Sequence, residues 1–145
     1  MNRQEALNLL DASLYRLRRQ QSSRRASRAL AERSGVQLPP LALAILRDIE
    51  RHGPARVQAL AERIGTEVPR VSREVRDLEG SGHLRVGSDA ADKRARVAAL
   101  TALGTKQLAS YERASRSMLG DLLEDWDDGA VEAFAVLFDR FVSPP

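Results

Sequence analysis

Apolar residues recur at three- and four-residue spacing through most of the chain. Leu7, Leu10, Leu14 and Leu17 open a helical stripe that Ala29, Leu30 and Ala31 resume, which predicts one long helix over residues 4–33, stopped at Gly35. The stretch Gln20 to Arg25 is polar throughout, so a kink or a solvated segment is expected there. A second helix, Pro40 to His52, is apolar nearly all round at its start and therefore belongs at the centre of the core; His52-Gly53-Pro54 ends it. A short helix from Val57 to Ile64, a tight turn at Gly65-Thr66-Glu67 and a helix from about Pro69 to Gly80 follow. Thr101 is the expected N-cap of a long helix from Ala102 to about Glu124, and Asp127 or Asp128 caps a last one through Val142. On that last helix Val131, Phe134, Ala135, Phe138 and Phe141 share a face.

Between Leu84 and Leu100 the pattern changes. Leu84-Arg85-Val86 alternates apolar and charged, Val97-Ala98-Ala99-Leu100 is a short apolar run, and Asp89, Asp92, Lys93, Arg94 and Arg96 crowd between them. Two short strands joined by turn chemistry make a hairpin with basic residues at its tip. Six helices and one hairpin make a mainly α single domain over residues 1–145.

The helices flanking Gly65 read as a helix-turn-helix, with Ala61 small where they approach and Gly65 suited to a left-handed turn. Stepping about 100° per residue along the second helix puts Val71, Val75 and Leu78 on one side. Pro69, Ser72, Arg73 and Arg76 fall opposite, with Arg70 on the flank. A helix with an apolar back and an Arg/Ser front suits the major groove, where arginine bonds guanine O6 and N7 in pairs. The competing reading is a solvated face in which Arg70 pairs with Glu74 and Arg73 with Asp77. The hairpin decides between them, because a helix-turn-helix followed by a hairpin is a winged helix. Lys93, Arg94 and Arg96 then become candidate DNA contacts, with Arg94 reaching a narrow minor groove and Asp92 orienting its guanidinium.

LAERIGTEVPRVSREVRDLEGSGHL followed by DAADKRARVAALTALG resembles the MarR family of bacterial transcription regulators, over residues 40–108. The wing pattern, Asp89 and Asp92 with Arg94, Ala95 and Arg96, then Leu100-Thr101 and Gly104, is its most specific part. The resemblance implies a homodimer built by the outer helices (1–35 and 105–145), with winged-helix lobes (40–104) on a pseudo-palindromic operator in double-stranded DNA. It implies a repressor by family habit, with Pro69, Arg70, Ser72 and Arg73 at recognition-helix positions and Arg94 at the wing tip. The chain departs from the family's pattern at three places. Glu67-Val68 replaces the usual Ser-Pro entry, so that helix's cap must come from Thr66 or be weak. Ala102 stands for the common proline after the wing, and Glu74 for a usual apolar residue.

Charge distribution agrees with this layout. The net charge is +3, but residues 1–51 hold ten basic and five acidic groups, and residues 97–145 hold four and eight. The basic part suits a polyanion and the acidic tail does not. Cysteine is absent, which excludes disulfides, thiol switching and cysteine metal sites. His52 and His83 lack metal-ligand neighbours and read as turn residues, so neither metal nor cofactor is expected. No nucleophile–base pair or phosphate loop suggests an enzyme. No apolar run approaches a membrane span, and MNRQEALNLLDASLYRL lacks a signal peptide's apolar core, so a cytoplasmic protein is expected. Tyr15, Tyr111 and Met118 are candidates to line an aromatic-effector cleft between the long helices, against the plainer reading that they pack. The alternative function is a winged-helix dimerisation module that no longer binds DNA. Four basic or hydroxyl residues on the front of the second helix favour DNA.

Overall fold

The structure, a computed structural model, describes residues 1–21 and 24–143. Among these the chain runs α1 (Arg3–Gln21), α2 (Arg24–Ser34), α3 (Pro40–His52), β1 (Ala55–Arg56), α4 (Val57–Ile64) and α5 (Val68–Gly80). It continues through β2 (Leu84–Ser88), β3 (Arg96–Leu100), α6 (Ala102–Leu122) and α7 (Asp128–Val142). The single helix expected over residues 4–33 is thus two described segments. Ser22 and Ser23, inside the stretch where a kink is expected, lie outside the described residues. Helix α6 ends at Leu122, two residues short of the expected end, where Leu123 N bonds back to Leu119 and Gly120 O.

Helix α3 forms the centre, as its all-round apolar start requires. Ala42, Leu43, Ile45, Leu46 and Ile49 are buried, and Pro40 sits in the first turn, where a missing N–H costs nothing. Leu60 and Ala61 of α4, Val71, Val75 and Leu78 of α5, Leu84, Ala98 and Leu108 pack on it. Gly53 ends α3 at φ 85° and Gly65 ends α4 in the left-handed region at φ 75°. That region is open to glycine without Cβ strain. An ion pair locks the first two core helices: Arg63 donates to both carboxylate oxygens of Asp48 at 3.0 and 2.5 Å, and Asp48 is almost fully buried.

The sheet is antiparallel, ordered β1-β3-β2. Its register aligns Arg56 with Val97, and Gly87 with Val97 on the other side. The hairpin is as expected; β1 is not, since a two-residue strand has no period to detect. Thr101 caps α6 by accepting from Gly104 N at 3.1 Å, and Asp127 caps α7 by accepting from Ala130 N at 2.9 Å. No described helix is long and apolar enough to cross a membrane.

Candidate nucleic-acid interface

Helix α5 is held by its apolar side. Val71, Val75 and Leu78 are buried on the core, so the opposite side faces out: Pro69, Arg70, Arg73 and Arg76 are exposed and Ser72 is half-buried. Arg76 donates to Ser72 Oγ at 3.2 Å, which ties those two front residues together. Neither Arg70–Glu74 nor Arg73–Asp77 closes into an ion pair among the described residues, although Arg70 lies near enough to Glu74 to act on its charge. Glu74 lies half-buried in a groove between α5 and the start of α3, lined also by Pro39, Pro40, Leu41, Arg70, Arg73 and Asp77. Burial pushes its carboxyl above the ordinary range; Asp77 adds to that and Arg70 opposes it. Glu67 occupies the N-cap position of α5 without a side-chain cap bond, so the entry to that helix has the weak cap that its sequence implies.

The wing projects beside α5. Its tip loop is closed by Asp89 N bonding Ala95 O at 2.9 Å and Ala95 N bonding Asp92 O at 3.0 Å. Asp92 does not hold the Arg94 guanidinium, as its place in the sequence suggested. Its Oδ1 accepts from the Arg94 backbone N–H at 3.0 Å, because a short side chain reaches the main chain two residues on before it reaches a guanidinium. Asp92 therefore shapes the turn on which Arg94 rides. Lys93 and Arg94 are exposed at the tip. Arg96, at the base of β3, is 71% exposed and lies 4.0 Å from Glu79 of α5.

One contact of the wing has no precedent in the sequence reading. Arg56, in β1, donates to Asp89 Oδ2 from Nε at 2.9 Å and from Nη2 at 2.6 Å. Asp89 Oδ1 accepts from Ala91 N at 3.0 Å. The Ala91 N–H first, then Arg56, hold the Asp89 carboxyl below the ordinary aspartate range. The only hint in the chain is the extended pair after Gly53-Pro54.

Behind the wing, His83 is buried. Its Nε2 bonds Gln107 Oε1 at 2.8 Å and its Nδ1 bonds Ser81 Oγ at 2.7 Å, linking the end of α5 to α6. Its role in the turn is thus a bonded one. His52 leans on Asp48 at 3.3 Å.

Tyr15, Tyr111 and Met118 are not gathered into one cavity. Tyr15 is exposed on α1, Tyr111 carries the Arg47 guanidinium over its ring at 5.4 Å, and Met118 lines a shallow depression between α2 and α6 with Ala29, Glu32, Arg33, Asp121 and Leu122. On α7 no residue is buried; Phe134 meets Trp126 edge-on and Phe138 face-on, both at 5.5 Å, in a ladder open to solvent.

A helix-turn-helix whose second helix turns an arginine front outward, joined to a three-stranded sheet with a basic hairpin tip, defines a winged-helix protein. Residues 34–95 match the model of the MarR family. The chain is similar to two HTH-type transcriptional regulators of Bacillus subtilis (strain 168). It is 29% identical to YxaD, over 66% of this chain and 67% of that one. It is 29% identical to YwoH, over 81% and 88%. A MarR family protein of Bacillus stearothermophilus has the same fold, with a TM-score of 0.77 at 16% identity over 97% of this chain and 95% of the other. Over residues 34–95 the chain thus resembles the MarR family of transcription regulators, which are DNA-binding proteins and not enzymes.

Proposed function

We propose that the protein is a homodimeric repressor that binds a pseudo-palindromic operator, with α5 in the major groove and the wing in the flanking minor groove. The single observation behind this is the exposed front of α5. Arg70, Arg73 and Arg76 are exposed and close no ion pair among the described residues, on a helix whose back is locked in the core. Arg73 projects opposite Val71, Val75 and Leu78 and is assigned the deepest base contact; Pro69, Arg70 and Ser72 line the same front. Lys93, Arg94 and Arg96 supply the wing's contacts, with Asp92 shaping its turn. Residues 40–104 form the reading lobe.

Residues 1–35 and 105–145 are assigned to dimerisation. Leu7 and Leu10 of α1 and Phe134, Phe138 and Phe141 of α7 are exposed on the single chain, an apolar surface of the kind that marks an interface. A two-fold axis would let each contact occur twice and space two reading heads for two half-sites. An aromatic effector remains part of this reading through the depression at Met118; Tyr15 and Tyr111 have no shared wall with it in one chain. Selecting bound fragments from sheared genomic DNA, with a mobility-shift assay on the promoter beside the protein's own gene, tests the function. Failure to retain any sequence above bulk DNA defeats it.

A further inference from the structure

The Arg56–Asp89 pair joins two places that matter separately. Arg56 is the last residue of β1 and the residue from which α4, the first helix of the helix-turn-helix, departs. Asp89 is the first residue beyond β2, at the root of the wing's tip loop. Arg56, Val97 and Gly87 are aligned across the sheet and share a face, and Asp89 lies two residues beyond Gly87 towards the tip. The Arg56 side chain runs along that face and meets Asp89 Oδ2 with two donors, at 2.9 and 2.6 Å. The other oxygen of the same carboxylate fixes the loop through Ala91 N. One carboxylate thus ties the tip loop to the strand that feeds the reading helices.

The remaining bonds within the loop, from Asp89 N to Ala95 O, Ala95 N to Asp92 O and Arg94 N to Asp92 Oδ1, are local. They set its internal shape and do not themselves reach α5 or β1. The Arg96–Glu79 approach, at 4.0 Å between two exposed side chains, is too long for a charge-assisted hydrogen bond and constrains little. Beyond the β2–β3 ladder that carries the loop from Ser88 and Arg96, the tie to the rest of the lobe is the Arg56–Asp89 pair. We propose that Arg56 is a positioning residue for the wing: with Asp89 it holds Arg94 at the height from which it meets DNA beside α5, without touching DNA itself. This rests on the wing reading above.

The test uses the full chain and, as probe, the DNA fragment that the parent protein selects from sheared genomic DNA, at fixed salt. Arg56→Ala is expected to weaken binding about tenfold, the order of one lost wing arginine. Asp89→Asn keeps an acceptor for Ala91 N but loses the charge, and is expected to weaken binding as much. Arg56→Lys should recover part of the loss. In an Arg94→Ala background, Arg56→Ala should change nothing further, since both act through one contact. Hydroxyl-radical protection should vanish over the flanking minor groove and persist over the bases read by α5. Full-strength binding by Asp89→Asn beside weak binding by Arg56→Ala would assign Arg56 a direct phosphate contact and overturn the proposal. An equal Arg56→Ala loss in both backgrounds overturns it too. Weak binding by Arg94→Ala with unchanged binding by Arg56→Ala removes the clamp and leaves the wing reading standing. Unchanged binding by both Arg94→Ala and Arg73→Ala removes the reading itself.

Discussion

Replacing Gly104 by alanine loads the joint between the wing and α6. A Cβ at Gly104 would stand 2.2 Å from the His83 carbonyl oxygen and 3.1 Å from its carbon. An unstrained C···O contact needs about 3.3 Å, so one side must move by about 1 Å. The carbonyl is pinned, since it accepts from both Thr101 N and Thr101 Oγ1 at 3.1 Å. The first turn of α6 must therefore withdraw, and Gly104 N with it, from the Thr101 cap bond at 3.1 Å. Losing the cap costs about 1 kcal/mol and the overpacking about 1–3 kcal/mol, while alanine's helix propensity returns about 1 kcal/mol. The net is a destabilisation of about 1–3 kcal/mol, and for a chain of this size each kcal/mol lowers Tm by about 2–4 °C. Thermal melting followed by circular dichroism measures it. Gly80→Ala is the control: Gly80 is the last residue of α5, and a Cβ there meets nothing within 4 Å. It should melt at or slightly above the parent. A Gly104→Ala variant that melts no lower than the parent would refute the close approach of α6 to the wing's base.

Arg94→Ala should weaken operator binding by about 1–3 kcal/mol, and Asp92→Ala less, since it loosens only the turn under Arg94; filter binding at fixed salt measures both. Arg73→Ala should relax base preference, so that fragments selected by the variant differ from the parent's; identical selected sequences would reduce Arg73 to a phosphate contact. Removal of residues 1–20 should leave a monomer or an aggregate in light scattering and abolish operator binding, because two linked half-sites gain from effective concentration. The Asp48 carboxyl is held below the ordinary aspartate range, chiefly by its hydrogen bond from Arg63. A group with a depressed folded-state pKa contributes stability above its unfolded value and loses it as pH falls through the folded one. Asp48→Asn should therefore narrow the difference in urea midpoint between pH 7 and about pH 3, and an unchanged difference counts against the Asp48–Arg63 lock.

Much of this molecule is legible in short windows of its sequence. The α3 and α4 boundaries, the caps at Thr101 and Asp127 and the left-handed turn at Gly65 depend on residues within four positions of one another, and local sterics and hydrogen bonding decide them. The apolar back of α5 follows from helical period alone, and with it the outward arginine front. The tertiary structure decided what spacing cannot carry. Strand β1 has two residues and exists only because β3 offers it an edge. Arg56 finds Asp89 across 33 positions, and His83 finds Gln107 across 24, because the sheet brings their elements together. Asp92 turned out to bond the main chain of Arg94, a choice among acceptors and donors that the order Asp-Lys-Arg leaves open. Whether Tyr15, Tyr111 and Met118 pack or line a cleft is open in a list of aromatic and soft residues, and the helices place them apart on the single chain. Periodicity says which side of a helix is buried; only packing says against what, and so which charges meet.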